Sequence, residues 1–120
     1  MAVKRIVANI AAPEPKAARA FYVDILGLEI VMDHGWLVTF AAPPTLGRPQ
    51  VSVASQGGSG TPVPDLSIEV DDLAEVLQRV EAAGLAVEYG PADEPWGVRR
   101  FYVRDPAGRL VNILSHADAA

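Results

Sequence analysis

The sequence predicts an α+β fold built from two similar halves, and three observations predict it. Apolar side chains recur with a period of two through eight short runs, the spacing of half-buried strands. Two other stretches repeat apolar residues at helical spacing and end at a glycine. The second half repeats the order of the first at an offset of about 57 residues, the mark of an internal repeat. Antiparallel strands with helices on one face imply α+β.

The first strand is Arg5 to Ile10. Arg5, Val7 and Asn9 share one face, and Ile6, Ala8 and Ile10 take the other. Pro13-Glu14-Pro15 then opens a helix in which Ala17, Ala18, Phe21, Tyr22, Ile25 and Leu26 form the apolar stripe, with Gly27 as its stop. Leu28 to Asp33, Trp36 to Phe40 and Gln50 to Ser55 read as three further strands, separated by His34-Gly35 and by the Pro43-Pro44 stretch. Gln56 to Pro64 is rich in glycine, serine and proline, the composition of a flexible linker.

The second half begins with a strand at Leu66 to Val70. Asp71 or Asp72 can cap a helix carrying Leu73, Val76, Leu77, Val80 and Ala83, stopped by Gly84. Strands follow at Leu85 to Tyr89, Arg100 to Val103 and Leu110 to Ser115. Residues 1–120 thus form one domain of two modules, about 4–55 and about 65–116, joined by linker 56–64. Neither module alone has a generous core, so the two pack together or each pairs with a partner chain.

Composition narrows the functional classes. With no cysteine among 120 residues, disulfides, cysteine-ligated metals and thiol nucleophiles are excluded, and a cytoplasmic location is the default expectation. No apolar run has the length of a signal peptide or a membrane span. The net charge of -5, with basic residues scattered, provides no stripe for a phosphate backbone, so nucleic acid is not an expected partner.

The period-two pattern also says what the helix-free face carries. If Leu66, Ile68 and Val70 point to the core, Asp65, Ser67 and Glu69 point away. The same parity places Gln50 and Ser52, Arg100 and Tyr102, and Asn112 on that face, together with Arg5 and Asn9. Two readings follow. The face is a polar concavity, or it is a solvated sheet surface on which Arg5 and Arg100 pair with Asp65 and Glu69.

On Ala20-Phe21-Tyr22 with Leu26-Gly27-Leu28, Val70-Asp71-Asp72-Leu73, Pro95-Trp96-Gly97, and Phe101-Tyr102-Val103-Arg104-Asp105-Pro106-Ala107-Gly108-Arg109, the chain resembles the vicinal oxygen chelate superfamily. This is the group of glyoxalases, bleomycin-resistance proteins and extradiol dioxygenases. The resemblance spans nearly the whole chain. It implies paired βαβββ modules whose curved mixed sheet surrounds a cavity, often in a homodimer.

Metal-dependent members hold their ion with His, Glu and Gln on the first and fourth strands of each module. Carried over, those positions fall on Val7, on Ser52 or its neighbour Gln50, on Asp65 and on Asn112. One carboxylate among four is too few for a zinc, nickel or iron site, so no metal cofactor is expected. His34, in a loop, and His116, beyond the last strand, lie off these positions and are expected to be exposed.

The reading is therefore of a bleomycin-resistance-like protein that binds a small molecule without a complete metal site. The ligand-binding candidates are Asn9, Trp36, Gln50, Ser52, Asp65, Ser67, Glu69, Trp96, Arg100, Tyr102 and Asn112, with Tyr89 and Glu94 as further aromatic and acidic groups. A lyase, isomerase or dioxygenase using Ni, Zn, Mn or Fe is one alternative. A metal-free enzyme is another, with Asp65 or Glu69 as general base and Arg100 stabilising an anion. A third is a cavity filled by its own side chains.

Overall fold

The computed structural model describes residues 1–44 and 47–116. Each half has the predicted order of strand, helix and three strands, and the fold is α+β. The chain divides into two compact units, residues 7–63 and residues 1–6 with 64–120. The first strand, β1 (Val3–Ala11), contributes residues to both.

In the first unit, β2 (Glu29–Asp33), β3 (Leu37–Ala41) and β4 (Gln50–Ala54) join the later part of β1 in the order β2-β3-β4-β1. β1 runs parallel to β4 with Asn9 opposite Ser52, and β4 runs antiparallel to β3 with Ser52 opposite Thr39. The helix is much shorter than the apolar stripe predicts. A 3-10 turn at Pro15–Ala18 leads into α1, which is only Arg19–Tyr22, and single turns carry the chain on to Gly27.

Ala18, Tyr22, Val23 and Leu28 pack on Val38, Phe40 and Val53, with the Tyr22 and Phe40 rings stacked at 5.2 Å. Four residues of the predicted apolar stripe are instead exposed: Ala17, Phe21, Ile25 and Leu26. The face of β1 also corrects the prediction. Ile6, Ala8 and Ile10 are exposed while Val7 is buried, because the α1 segment covers β3 and β4 rather than β1.

The expected flexible stretch closes as a hydrogen-bonded turn. Gly57 N–H donates to the Thr61 carbonyl at 2.8 Å, Thr61 N–H donates back to Gly58 at 3.0 Å, and the Gln56 side chain accepts from Gly60 N–H at 3.1 Å. Burying Gly57 and Gly58 requires their backbone groups to be paired, which the composition does not reveal.

In the second unit, β5 (Leu66–Val70), β6 (Val87–Asp93), β7 (Val98–Arg104) and β8 (Leu110–His116) take the order β5-β8-β7-β6. The register repeats that of the first unit: β5 runs parallel to β8 with Ser67 opposite Asn112, and β7 runs antiparallel to β8 with Tyr102 opposite Asn112. Here the helix, α2 (Leu73–Ala82), is full length. Asp72 caps it by accepting from Glu75 N–H at 3.1 Å, which satisfies one of its orphan donors.

Leu73 and Val80 of α2 pack on Val70, Phe101, Val103, Val111 and Ile113, all on one sheet face, as the parity predicts. β6 runs longer than Leu85 to Tyr89 and carries two register shifts, one on each side of Tyr89. No helix among the described residues is long and apolar enough to cross a membrane.

Candidate functional site

The polar side chains gather on the sheet face opposite α2. Period two leaves Ser67 and Glu69 on β5, Asn112 on β8, and Arg100 and Tyr102 on β7 pointing away from the core. The register then aligns them in rows. Ser67, Asn112, Tyr102 and Tyr89 are consecutive partners across β5, β8, β7 and β6.

Arg100 is the centre of the best-formed part of the face. Its Nε and Nη2 reach Glu94 Oε2 at 2.7 and 2.6 Å, and its Nη1 donates to the Tyr102 hydroxyl at 3.0 Å. Both charged side chains are buried, at 3% exposure for Arg100 and 4% for Glu94. The Tyr89 hydroxyl donates to the Glu94 carboxylate, with oxygens at 3.1 and 3.2 Å. The guanidinium carbon lies 5.0 Å from the Trp96 and Tyr102 ring centres and 5.3 Å from that of Tyr89. Three aromatic rings and one carboxylate thus enclose the cation, and the planar guanidinium suits both the stacking and the convergence of two N–H donors on one carboxylate oxygen.

The local sequence explains how Glu94 arrives there. After β6, Glu94 N–H donates to the Val98 carbonyl at 2.7 Å and Gly97 N–H donates to Glu94 at 3.1 Å, closing the Pro95-Trp96-Gly97 turn. That turn brings the carboxylate and the Trp96 ring back over β7. The sequence pattern pairs Arg100 with Asp65 or Glu69, and the structure corrects this partner to Glu94. The period-two rule counts along regular strands and does not see a turn residue folding back.

Glu69 has its own basic neighbours. Arg5 Nε lies 3.2 Å from Oε1, and Lys4 Nζ and His116 Nδ1 lie 3.7 and 2.9 Å from Oε2. His116 is the last residue of β8 rather than a tail group, and its ring turns to Glu69. Asp65 is half exposed and holds the start of β5. Its Oδ2 accepts from Leu110 N–H at 3.0 Å, and Arg109 lies 3.9 Å from Oδ1. At the far end of β7, the Glu88 hydrogen bond and charge push the Arg104 guanidinium above its already high ordinary value.

Asn112 is buried at 6% exposure. Its Nδ2 donates to Ser67 Oγ at 3.1 Å, while its Oδ1 has no hydrogen-bond partner among the described residues.

The first unit builds the equivalent row from Asn9, Ser52 and Thr39. Ser52 and Thr39 share a buried hydroxyl hydrogen bond of 2.7 Å. Thr39 belongs to this polar row although the sequence pattern did not single it out; it lies between core residues Val38 and Phe40, and its parity is the signal that would find it. Gln50 begins β4 and is half-buried. Trp36 precedes β3 and stacks on His34 at 5.7 Å, outside the Ser52 row.

The register gives a physical test of the four family ligand positions. Val7 stands two residues before Asn9, the partner of Ser52, just as Asp65 stands two residues before Ser67, the partner of Asn112. The two pairs are therefore equivalent. Valine has no donor, Ser52 is bonded to Thr39, Asp65 is turned to the Leu110 amide and Asn112 offers a neutral carboxamide. This donor set does not fit a zinc or iron site. Among the described residues, no group of three or more His, Cys, Asp or Glu is placed to hold a metal ion.

Comparison with known proteins places this geometry in a family. A Vibrio splendidus member of the glyoxalase/bleomycin resistance protein/dioxygenase superfamily is 20% identical, with a TM-score of 0.61, over 96% of this chain and 99% of that one. The Streptomyces coelicolor methylmalonyl-CoA epimerase is 16% identical, with a TM-score of 0.70, over 97% and 99%. A Legionella pneumophila chain described as NAD-dependent benzaldehyde dehydrogenase is 14% identical, with a TM-score of 0.73, over 93% and 99%. At these identities the likeness speaks for the fold. No curated protein matches the chain. A family profile matches residues 4–113, and the chain belongs to the Glyoxalase/Bleomycin resistance protein/Dioxygenase superfamily.

Proposed function

We propose that this protein binds a small molecule on its polar sheet face without a metal ion. The observation that carries the reading is the donor chemistry of the family ligand positions. Val7, Ser52, Asp65 and Asn112 supply one carboxylate, and that carboxylate is already used by the Leu110 amide. Without a Lewis acid, stabilising an enediolate or binding dioxygen loses its electrophile, and ligand capture remains. The candidate ligand-binding groups are those of the polar rows and the aromatic surface around Arg100.

The metal-free enzyme is the weaker reading. A general base needs a lone pair free for substrate, and Glu69 is in contact with Lys4, Arg5 and the His116 ring. Arg100 likewise has Glu94 on two of its nitrogens.

The proposal includes a cytoplasmic homodimer. The first unit exposes Ile10, Phe21, Ile25 and Leu26, with Ile25 at 71%, more large apolar surface than a lone soluble module usually leaves uncovered. Light scattering that returns a monomer at every concentration removes this part.

Elemental analysis of the purified protein, followed by calorimetric titration with nickel, zinc, manganese and iron(II), tests the central claim. The expected result is no stoichiometric metal and no saturable uptake. Stoichiometric metal that is lost in Asp65→Ala defeats the proposal and assigns the protein to the metal-dependent lyases, isomerases or dioxygenases of the superfamily.

A further inference from the structure

The polar face of the second unit is complete in its charges and incomplete in one neutral group. Glu69, Arg100 and Asp65 each already face an opposite charge. Asn112 differs. Its residue is 6% exposed, its Nδ2 is bonded to Ser67, and its Oδ1 has no partner. Nδ2 is the end bonded to Ser67 Oγ, so the unsatisfied end is the carbonyl oxygen, an acceptor. Leu110 and Leu114, which share its side of β8, have no side-chain donor to offer. Buried carbonyl oxygens without a donor are rare in native proteins, since desolvation is then uncompensated.

From this we infer that Asn112 is the recognition group for an uncharged ligand carrying an N–H or O–H donor, a hydroxyl or carboxamide compound. The inference rests on the metal-free binding function and names its ligand class. An anion would bring a second acceptor against Oδ1. A cation would be buried beside carboxylates whose charge is already matched, so its desolvation would go unrepaid. A neutral donor completes the carboxamide without adding a charge to the face.

The test uses the full chain, with the Asn112 side-chain amide followed by NMR. N-methylacetamide and phenol are the neutral probes, and sodium acetate and tetramethylammonium chloride are the charged ones at matched ionic strength. The neutral probes are expected to shift the Asn112 signal saturably, and the charged probes to leave it in place. Asn112→Leu is expected to raise the ligand-free melting temperature, because it removes the orphan oxygen, and to abolish the response of the Ser67 backbone amide. An asparagine that only supports the fold would give the opposite change in melting temperature.

If Asn112→Leu does not fold, Asn112→Ala carries the binding readout. Saturable shifts from the charged probes, no saturable shift from either neutral probe, or a response that survives in the variants overturns the inference. Those results leave the metal-free function standing. Metal uptake lost in Asp65→Ala removes both.

Discussion

The two modules share a backbone plan and divide its chemistry unequally. In each, a parallel strand pair and an antiparallel neighbour align three polar side chains, Asn9, Ser52 and Thr39 in one and Ser67, Asn112 and Tyr102 in the other. The first row closes on itself through the Thr39 and Ser52 hydroxyls. The second leaves an amide oxygen open beside a buried ion pair held in an aromatic box. The helices differ in the same way: α2 covers its sheet, whereas the α1 segment leaves Phe21, Ile25 and Leu26 outside. The repeat thus keeps register, which hydrogen bonding enforces, while the side chains build a charged and aromatic face on one module and leave the other apolar outside.

Breaking the ion pair tests that contrast most strongly. Glu94→Ala leaves the Arg100 guanidinium buried without its carboxylate and is expected to cost about 3–5 kcal/mol in urea unfolding. Replacing Arg100 by leucine in the same chain should recover much of that loss, since an apolar pair leaves no orphaned charge. Among the described residues the first module has no buried ion pair to break, and Ser52→Ala there should cost about 1 kcal/mol. Equal losses from Glu94→Ala and Ser52→Ala would remove the asymmetry.

Gly90→Ala should follow in size. Gly90 lies at the irregular part of β6 with φ of 82°, and a Cβ there would sit 2.5 Å from the Arg100 carbonyl oxygen. The backbone conformation alone costs about 1–3 kcal/mol for a residue with a side chain. The clash adds to it, because the strand beneath is backbone and does not move aside. At Gly84, where φ is 75° and a Cβ would meet nothing within 4 Å, alanine should cost less. A calorimetric melting series ranks the two, and a milder effect at Gly90 would show that this close approach is relaxed in solution.

The smallest expected difference concerns the caps. Asp72→Ala removes the only side-chain cap hydrogen bond seen at the helix starts of the described residues and should cost about 1 kcal/mol. Glu14, before the 3-10 turn, makes no such bond, and Glu14→Ala should be close to neutral by chemical denaturation. A comparable loss at Glu14 would mean that the first helix start has a cap of its own.

Much of the fold is legible in the amino-acid sequence alone, and particular residues show why. The alternation of Leu66, Ile68 and Val70 with Ser67 and Glu69 places one set against α2 and the other on the open face, because successive strand side chains must point to opposite sides. Asp72 is one of two predicted caps, and the structure selects it. The short first helix is not legible. Its apolar stripe continues past Tyr22, and pattern alone does not say which sheet strands a helix will cover.

What the sequence determined by itself is therefore the order of elements and the face of each strand in the second module, since both are local properties of residue type and spacing, whereas Val7, Ser52, Asp65 and Asn112 are ligand positions only by the family resemblance. Tertiary structure decided the partners. It brought Glu94 rather than Asp65 or Glu69 to Arg100, turned His116 to Glu69, tied Gln56 to Thr61 into a turn and left Asn112 Oδ1 without a donor. The Glu69 and Asn112 surroundings depend on a cross-strand register that joins residues distant along the chain, and the Glu94 pair and the 56–61 turn on local reversals of the backbone, and periodicity carries no information about either.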